Sequence, residues 1–321
     1  MAKKKSSTVD LTNPIFNDKD KARAYLEQLR WPHGAICPHC GCDSRIMNLK
    51  GKATRAGLYK CGDCREQFTV TVNTVFERSH VPLNKLVLAT HLMCASKKGI
   101  SAHQLHRTLG VTYKTAWFIA HRIREAMRPS DTVKMGGDGH FVEVDETYLC
   151  NKTTRLGKRR SGYEKEKVIT LVERDGGVRS FHVNSVNSET VRKILYEQIR
   201  ADSAIMTDEA SLYKRPIKEH FAGHGTVNHS IKEYVRGTAH TNTIEGYFSI
   251  LKRGINGVYQ HCSRQHLKRY LSEFDFRYTY RQKLGYGDEE RTMLALQGIK
   301  GKRLTYLPLG KKQGVLVEAS V

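Results

Sequence analysis

The chain has 321 residues, with 54 Lys and Arg against 32 Asp and Glu, a formal charge of +22. A surplus that large favours a polyanionic partner over a neutral or cationic one, and the length allows two or three folded units. No apolar run approaches the roughly 18 residues of a membrane span, and the Lys-rich start lacks the apolar core of a secretory signal, so a cytoplasmic protein with no membrane partner is expected.

Residues 1–13 read as a basic, disordered tail. Asn17 is placed to cap a short helix over 18–29 that stops ahead of Pro32. Cys37-Pro-His-Cys40 and Cys61-Gly-Asp-Cys64 follow, twenty residues apart. Thiolates at CxxC spacing reach two vertices of a tetrahedron, and four of them leave no open coordination position. One structural Zn²⁺ in a zinc ribbon over 14–80 is therefore expected. The other cysteines, Cys42, Cys94, Cys150 and Cys262, are scattered, which argues against a disulfide framework and for a reducing compartment.

Over 81–130 the pattern is helical. Helices are expected at 83–96, at 102–109 behind Ser101, and at 113–127 behind Thr112, with Gly110 turning between the last two. Helix, glycine turn and helix at this length resembles a helix-turn-helix, although an ordinary helical hairpin has the same outline. The last helix carries Lys114, His121, Arg122 and Arg124 around Trp117 and Ile119. Lys114, Arg122 and Arg124 are the candidate DNA contacts, and Trp117 and Phe118 are assigned to the core.

After a glycine-containing linker at 129–139 the pattern becomes α/β. Strands are expected at 141–148, 168–174, 178–184 and 203–208, with a helix at 188–200, which suits a mixed sheet flanked by helices. The basic stretch 151–167 reads as a hairpin or mobile loop near a nucleic acid. This unit spans 140–285, and 286–321 is a C-terminal extension.

Three acids sit in distinct local settings. Asp145 lies in the strand Phe141-Val-Glu-Val-Asp-Glu-Thr-Tyr148, Asp208 ends the run Ala204-Ile-Met-Thr-Asp208, and Glu245 opens a helical stretch. Alternate strand residues share a face, so Glu143 shares one with Asp145 while Glu146 faces away. Apolar flanks imply burial, and a buried charge needs a partner. Mg²⁺ is a natural one, being held by a few carboxylates together with substrate phosphate. Lys252 follows Glu245 by seven residues, which returns to within about 20° on a helix, so the two share a face, with Asn242 near it. Glu273 and Arg277 are an i,i+4 pair, either a helix-stabilising contact of roughly a few tenths of a kcal/mol or an organiser of the acidic site.

Taken in order, the Cys37/Cys40/Cys61/Cys64 ribbon, Val-Asp145-Glu-Thr, Thr-Asp208-Glu, His-Thr-Asn-Thr-Ile-Glu245 with Lys252, and Glu273-Phe-Asp-Phe-Arg277 resemble the bacterial insertion-sequence transposases of the fifteen-ninety-five group. The resemblance runs from about Asp18 to Tyr306. It implies an N-terminal zinc ribbon and a helical region ahead of a ribonuclease-H-like mixed sheet with helices, bearing a catalytic triad of the DDE type. Asp145 and Asp208 match the two aspartates. The third member is Glu or Asn with a following lysine, which leaves Glu245 with Lys252, or Asn242. Glu273 and Arg277 match an additional pair, and Thr279 departs from the pattern by standing where an asparagine is usual.

What the resemblance implies is a DNA transposase. Two Mg²⁺ (or Mn²⁺) ions about 4 Å apart would be held by Asp145, Asp208 and Glu245 to cleave and rejoin phosphodiesters. Its partners would be double-stranded DNA, both terminal inverted repeats and target, gripped by basic residues such as Lys252 and Arg253, and at least one further copy of the chain. The site of action would be the bacterial nucleoid. A zinc-ribbon regulator without catalysis, and a ribonuclease-H-like nuclease or resolvase that cuts without joining, are the rival readings.

Overall fold

The computed structural model describes residues 10–129, 133–149, 165–227, 235–236 and 239–305. The basic start of the chain, most of the basic stretch after residue 149, and the chain beyond residue 305 lie outside the described residues.

The N-terminal part starts with a single turn α1 (Pro14–Asn17) and helix α2 (Lys19–Arg30). Asp18, not Asn17, caps α2. Asn17 is still helical as the end of α1, whereas Asp18 is extended and its carboxylate accepts from the N–H groups of Asp20 and Lys21. The side chain of Asn13 caps α1 by accepting from Ile15 N–H. Strands β1 (Ile46–Leu49), β2 (Leu58–Cys61) and β3 (Gln67–Phe68) form a small antiparallel sheet. It is joined to α2 by Trp31, which meets Tyr59 and Phe68 edge-on, and by Arg30, which donates to the carbonyls of Val70 and Val72.

Helices α3 (Leu83–Ala95), α4 (Ala102–Leu109) and α5 (Tyr113–Ala126) follow. Ser101 and Thr112 cap α4 and α5 through side-chain bonds to the N–H groups of Gln104 and Thr115. Gly110 takes the left-handed conformation that lets α4 end and α5 begin within three residues.

The large sheet is built from β4 (Phe141–Leu149), β5 (Glu166–Glu173), β6 (Val178–Val183), β7 (Ala204–Thr207) and β8 (Gly223–Thr226), in the order β6-β5-β4-β7-β8. The first three pair antiparallel as a meander, and β7 and β8 add in parallel after crossovers through α6 (Ser188–Gln198) and α7 (Ser211–His220). Strands β9 (Val235–Arg236) and β10 (Ala239–His240) form a separate short pair. Helix α8 (Asn242–Gly254), a π turn (Ile255–Tyr259) and α9 (Arg264–Thr279) come next.

Period-two alternation in β4 sends Val142 and Val144 to the face covered by α6 and α7, in one apolar core with Ile169, Leu171, Val191, Leu195 and Tyr213. The opposite face carries Val168, Val172 and Val178 against α8 and α9, through Ile244, Leu251, Leu271 and Phe274. The result is the expected ribonuclease-H-like mixed sheet with helices on both faces. The chain then returns to its N-terminal part. Helix α10 (Asp288–Gln297) packs on α3, and Ala295, Leu296 and Ile299 are buried in the same core as Phe76, Leu86 and Ile123. No helix among the described residues is long and apolar enough to cross a membrane.

Candidate active site

The two aspartates come from neighbouring parallel strands. In the ladder between β4 and β7, Val142 stands opposite Ile205 and Glu143 opposite Met206. That pairing ends at Glu143 and Met206. Asp145 lies two residues further along β4 and Asp208 just past the end of β7, near enough for the charge of Asp208 to act on Asp145. Asp145 is half-buried and its carboxylate accepts from Glu146 N–H at 2.7 Å, while Asp208 accepts from Ala210 N–H at 3.1 Å. Glu245 stands in the first turn of α8, and its charge acts on Asp145. It is exposed, and Thr241 Oγ1 donates to its Oε1 at 3.0 Å. Among the described residues only the four cysteines of the ribbon form a group of three or more possible ligands whose atoms lie within 4.8 Å of one another, so the three acids are not drawn that close.

Electrostatics ties the three together. Burial is the main cause that pushes the Asp145 carboxyl up to about 7, and the negative charges of Glu146, Asp208 and Glu245 add to it. A divalent cation would relieve that mutual repulsion between carboxylates. Glu146 is the acid that strand alternation set aside. Its carboxylate accepts from Tyr213 O–H, and burial, reinforced by Asp208, raises its pKa. Two successive acids on one strand point to opposite faces yet still feel each other's charge; the acidic Asp145-Glu146 pair is the signal that was available.

Glu143, by contrast, is fully enclosed. It accepts from Arg174 Nε at 2.8 Å and from Ile244 N–H at 2.9 Å. Lys252 and Arg253 are exposed in the last turn of α8, and Asn242 is exposed at its first residue.

Glu273 and Arg277 do not join the acids. They meet Arg124 in a buried joint between α5 and α9. Glu273 accepts from Arg124 Nε at 2.7 Å, from Tyr259 O–H and from Arg277 Nη1, and the Arg124 guanidinium lies 4.0 Å over the Tyr270 ring. Arg124 is thus corrected from DNA contact to interior ion-pair partner: its side chain is only 3% exposed. Arg122 is half-buried and donates to the Glu77 carbonyl, while Lys114 stands exposed in the first turn of α5. Thr279, at the departing position, accepts from Val178 N–H and so ties α9 to β6.

In the ribbon, the sulfurs of Cys37, Cys40, Cys61 and Cys64 all lie within 4.8 Å of one another, with two of the pairs at 3.6 Å. Tetrahedral zinc–sulfur bonds of about 2.3 Å require sulfurs roughly 3.8 Å apart, which this cluster fits. Backbone N–H bonding, first from Cys64, lowers the Cys61 thiol to about 7, while Cys64 and Cys40 in the same cluster of sulfurs are pushed the other way. Cys42 stands outside the cluster, beside Ser44.

Residues 136–279 match the ISXO2-like transposase domain, and residues 17–67 match the transposase zinc-ribbon domain. The chain belongs to the fifteen-ninety-five group of transposases. A relative from Halobacterium salinarum, described as an uncharacterized protein in transposable element ISH50, is 28% identical to this transposase over 277 residues, covering 82% of this chain and 91% of its own. A chain of the simian T-cell lymphotropic virus intasome in complex with PP2A regulatory subunit B56 gamma aligns over 54% of this chain and 63% of its own. That alignment has 15% identity and a TM-score of 0.29, too slight a likeness to bear on the fold.

Proposed function

We propose that this transposase binds the inverted ends of its own element as double-stranded DNA, cleaves them to free a 3′-hydroxyl, and joins that hydroxyl to target DNA. What supports this reading is that residues 136–279 match the ISXO2-like transposase domain and that, beside the larger effect of burial, the charges of Asp208 and Glu245 act on the Asp145 carboxyl. Asp145, Asp208 and Glu245 would hold two Mg²⁺ or Mn²⁺ ions, which when bound lower the pKa of a water and neutralise charge on a phosphodiester. Glu245 is preferred to Asn242 as the third ligand because its charge is one of those acting on Asp145.

The chain's own residues divide the remaining work. Lys252, exposed two turns along α8 on the face of Glu245, holds a phosphate near the cleaved end, and Arg253 extends the same basic surface. The exposed Lys114 grips the backbone from the helical region. One structural Zn²⁺ on Cys37, Cys40, Cys61 and Cys64 keeps the ribbon folded for end recognition. The units would be 14–80, 81–130 and 140–285, with 286–321 as an extension. Cutting and joining two ends in concert calls for at least a homodimer, acting on chromosomal DNA in the cytoplasm.

The test uses duplex DNA that flanks the coding region, with MgCl₂ or MnCl₂. Nicked and joined products are expected from the unaltered protein, and Asp145→Asn should abolish both while still binding the duplex. A protein that binds these ends and never nicks them would be a regulator. One that nicks and never joins would be a nuclease or resolvase.

A further inference from the structure

The two aspartates are spaced by the backbone of a sheet, but Glu245 is not. It arrives on α8, outside the sheet, so its distance from Asp145 depends on what docks the first turn of that helix. A helix start leaves N–H groups without intrahelical partners. The residue before α8, Thr241, makes no side-chain cap, because its hydroxyl is committed to Glu245.

Glu143 fills that gap from across the core. It lies two residues before Asp145 on β4, is 0% exposed, and accepts from Ile244 N–H, one residue before Glu245. Its other oxygen accepts from Arg174 Nε and lies 3.2 Å from His240 Nδ1. Arg174 in turn donates through Nη2 to the His240 carbonyl, and its own carbonyl accepts from Arg281. One carboxylate thus binds the strand of Asp145, the turn after β5, the β10 segment and the start of α8. A negative group at this end also complements the helix dipole. Both oxygens are engaged and enclosed, so Glu143 is not itself placed to hold a metal.

We propose that Glu143 is a positioning residue: a buried carboxylate that caps α8 in trans and thereby sets Glu245 against Asp145. This rests on the reading of those acids as metal ligands. A group that orients ligands in this way typically changes metal affinity by about 10–100-fold when altered.

The experiment compares the full-length unaltered protein with Glu143→Gln, which keeps the shape and removes the charge, and with Glu143→Asp, which keeps the charge and retracts it by one methylene. Amide hydrogen exchange over residues 241–245 and Mn²⁺ binding to the DNA-free protein are read on each. Glu143→Gln is expected to speed exchange in 241–245 about tenfold with the rest of α8 unchanged, and to weaken Mn²⁺ binding about tenfold or more. Glu143→Asp should show the same pattern at smaller amplitude and so serves if Glu143→Gln does not fold. Unchanged exchange, or faster exchange with unaltered Mn²⁺ affinity, overturns the proposal and leaves the transposase reading intact. An unaltered protein that binds no Mn²⁺ removes the metal-site reading itself, whatever the exchange shows at residues 241–245.

Discussion

Replacing Glu273 tests whether the joint between α5 and α9 is held by charge. Its carboxylate is 0% exposed, and its two partners, Arg124 and Arg277, are 3% and 6% exposed. Burial works to raise the Glu273 pKa, but Arg277 and Arg124 outweigh it and leave the carboxyl below the ordinary glutamate value, so it is ionised at neutral pH. Glu273→Leu would strand two guanidinium groups in the interior without a counter-charge. Removing one partner of such a pair costs about 3–5 kcal/mol, because the remaining charges can neither be solvated nor neutralised. The triple variant Arg124→Met, Glu273→Leu, Arg277→Met removes all three charges together. It should recover most of that loss, since apolar replacement of a whole buried ionic cluster is often neutral or stabilising by about 1–4 kcal/mol. Urea unfolding at pH 7, followed by circular dichroism, measures both. A loss below about 1 kcal/mol for Glu273→Leu, or a triple variant less stable than the single one, would refute the assignment of this cluster as a charge-balanced joint.

Removing zinc with a chelator, or Cys61→Ser, should unfold the ribbon and loosen the packing of Trp31 on Tyr59 and Phe68; a tryptophan emission spectrum unmoved by metal removal would count against a structural ion. Asp275 is enclosed by Tyr247 and Ser180, and burial pushes its carboxyl up to about 7 despite their hydrogen bonds. A folded pKa above the unfolded one means its contribution is complete below about pH 4 and is lost as pH rises through 7. The stability of Asp275→Asn relative to the unaltered protein should therefore climb between pH 4 and 7 in urea titrations, and a flat difference would contradict the shift. Lys114→Ala should reduce the slope of log affinity against log salt for duplex DNA by about 0.9, the value for one phosphate contact, whereas an unchanged slope would remove Lys114 from the DNA surface.

How much of this was legible depended on the range of each interaction. CxxC spacing is local, and so were the caps at Ser101 and Thr112, the glycine turn between them and the alternation along β4. The proximity of Asp145 and Asp208 is not local, but Asp145 lies in one β-type run and Asp208 ends another, and the parallel pairing of β4 with β7 brings the two runs side by side. Asn17 and Asp18 show the limit of cap signals: either can cap, and the choice fell to Asp18 because Pro14 had already started a turn that consumed Asn17. Glu146 escaped because period two describes the direction of a side chain and not the reach of its charge. Arg124 escaped because a basic residue on an amphipathic helix reads as solvated, while its partner lies 149 positions away.

The burial of Arg124 also changes what the helix pair can do. Helix α5 touches α3, α4, α9 and α10, so it is covered on more than one side. Of its fourteen residues only Tyr113 and Lys114 are exposed, both in the first turn. A helix that lies along a major groove needs a continuous free face, which α5 does not have. What remains available is its N-terminal end, where the positive pole of the helix favours a phosphate over a base edge. On the proposed function, the helical region would fix the position of the duplex backbone, and reading of base sequence would fall to elements other than the middle of α5.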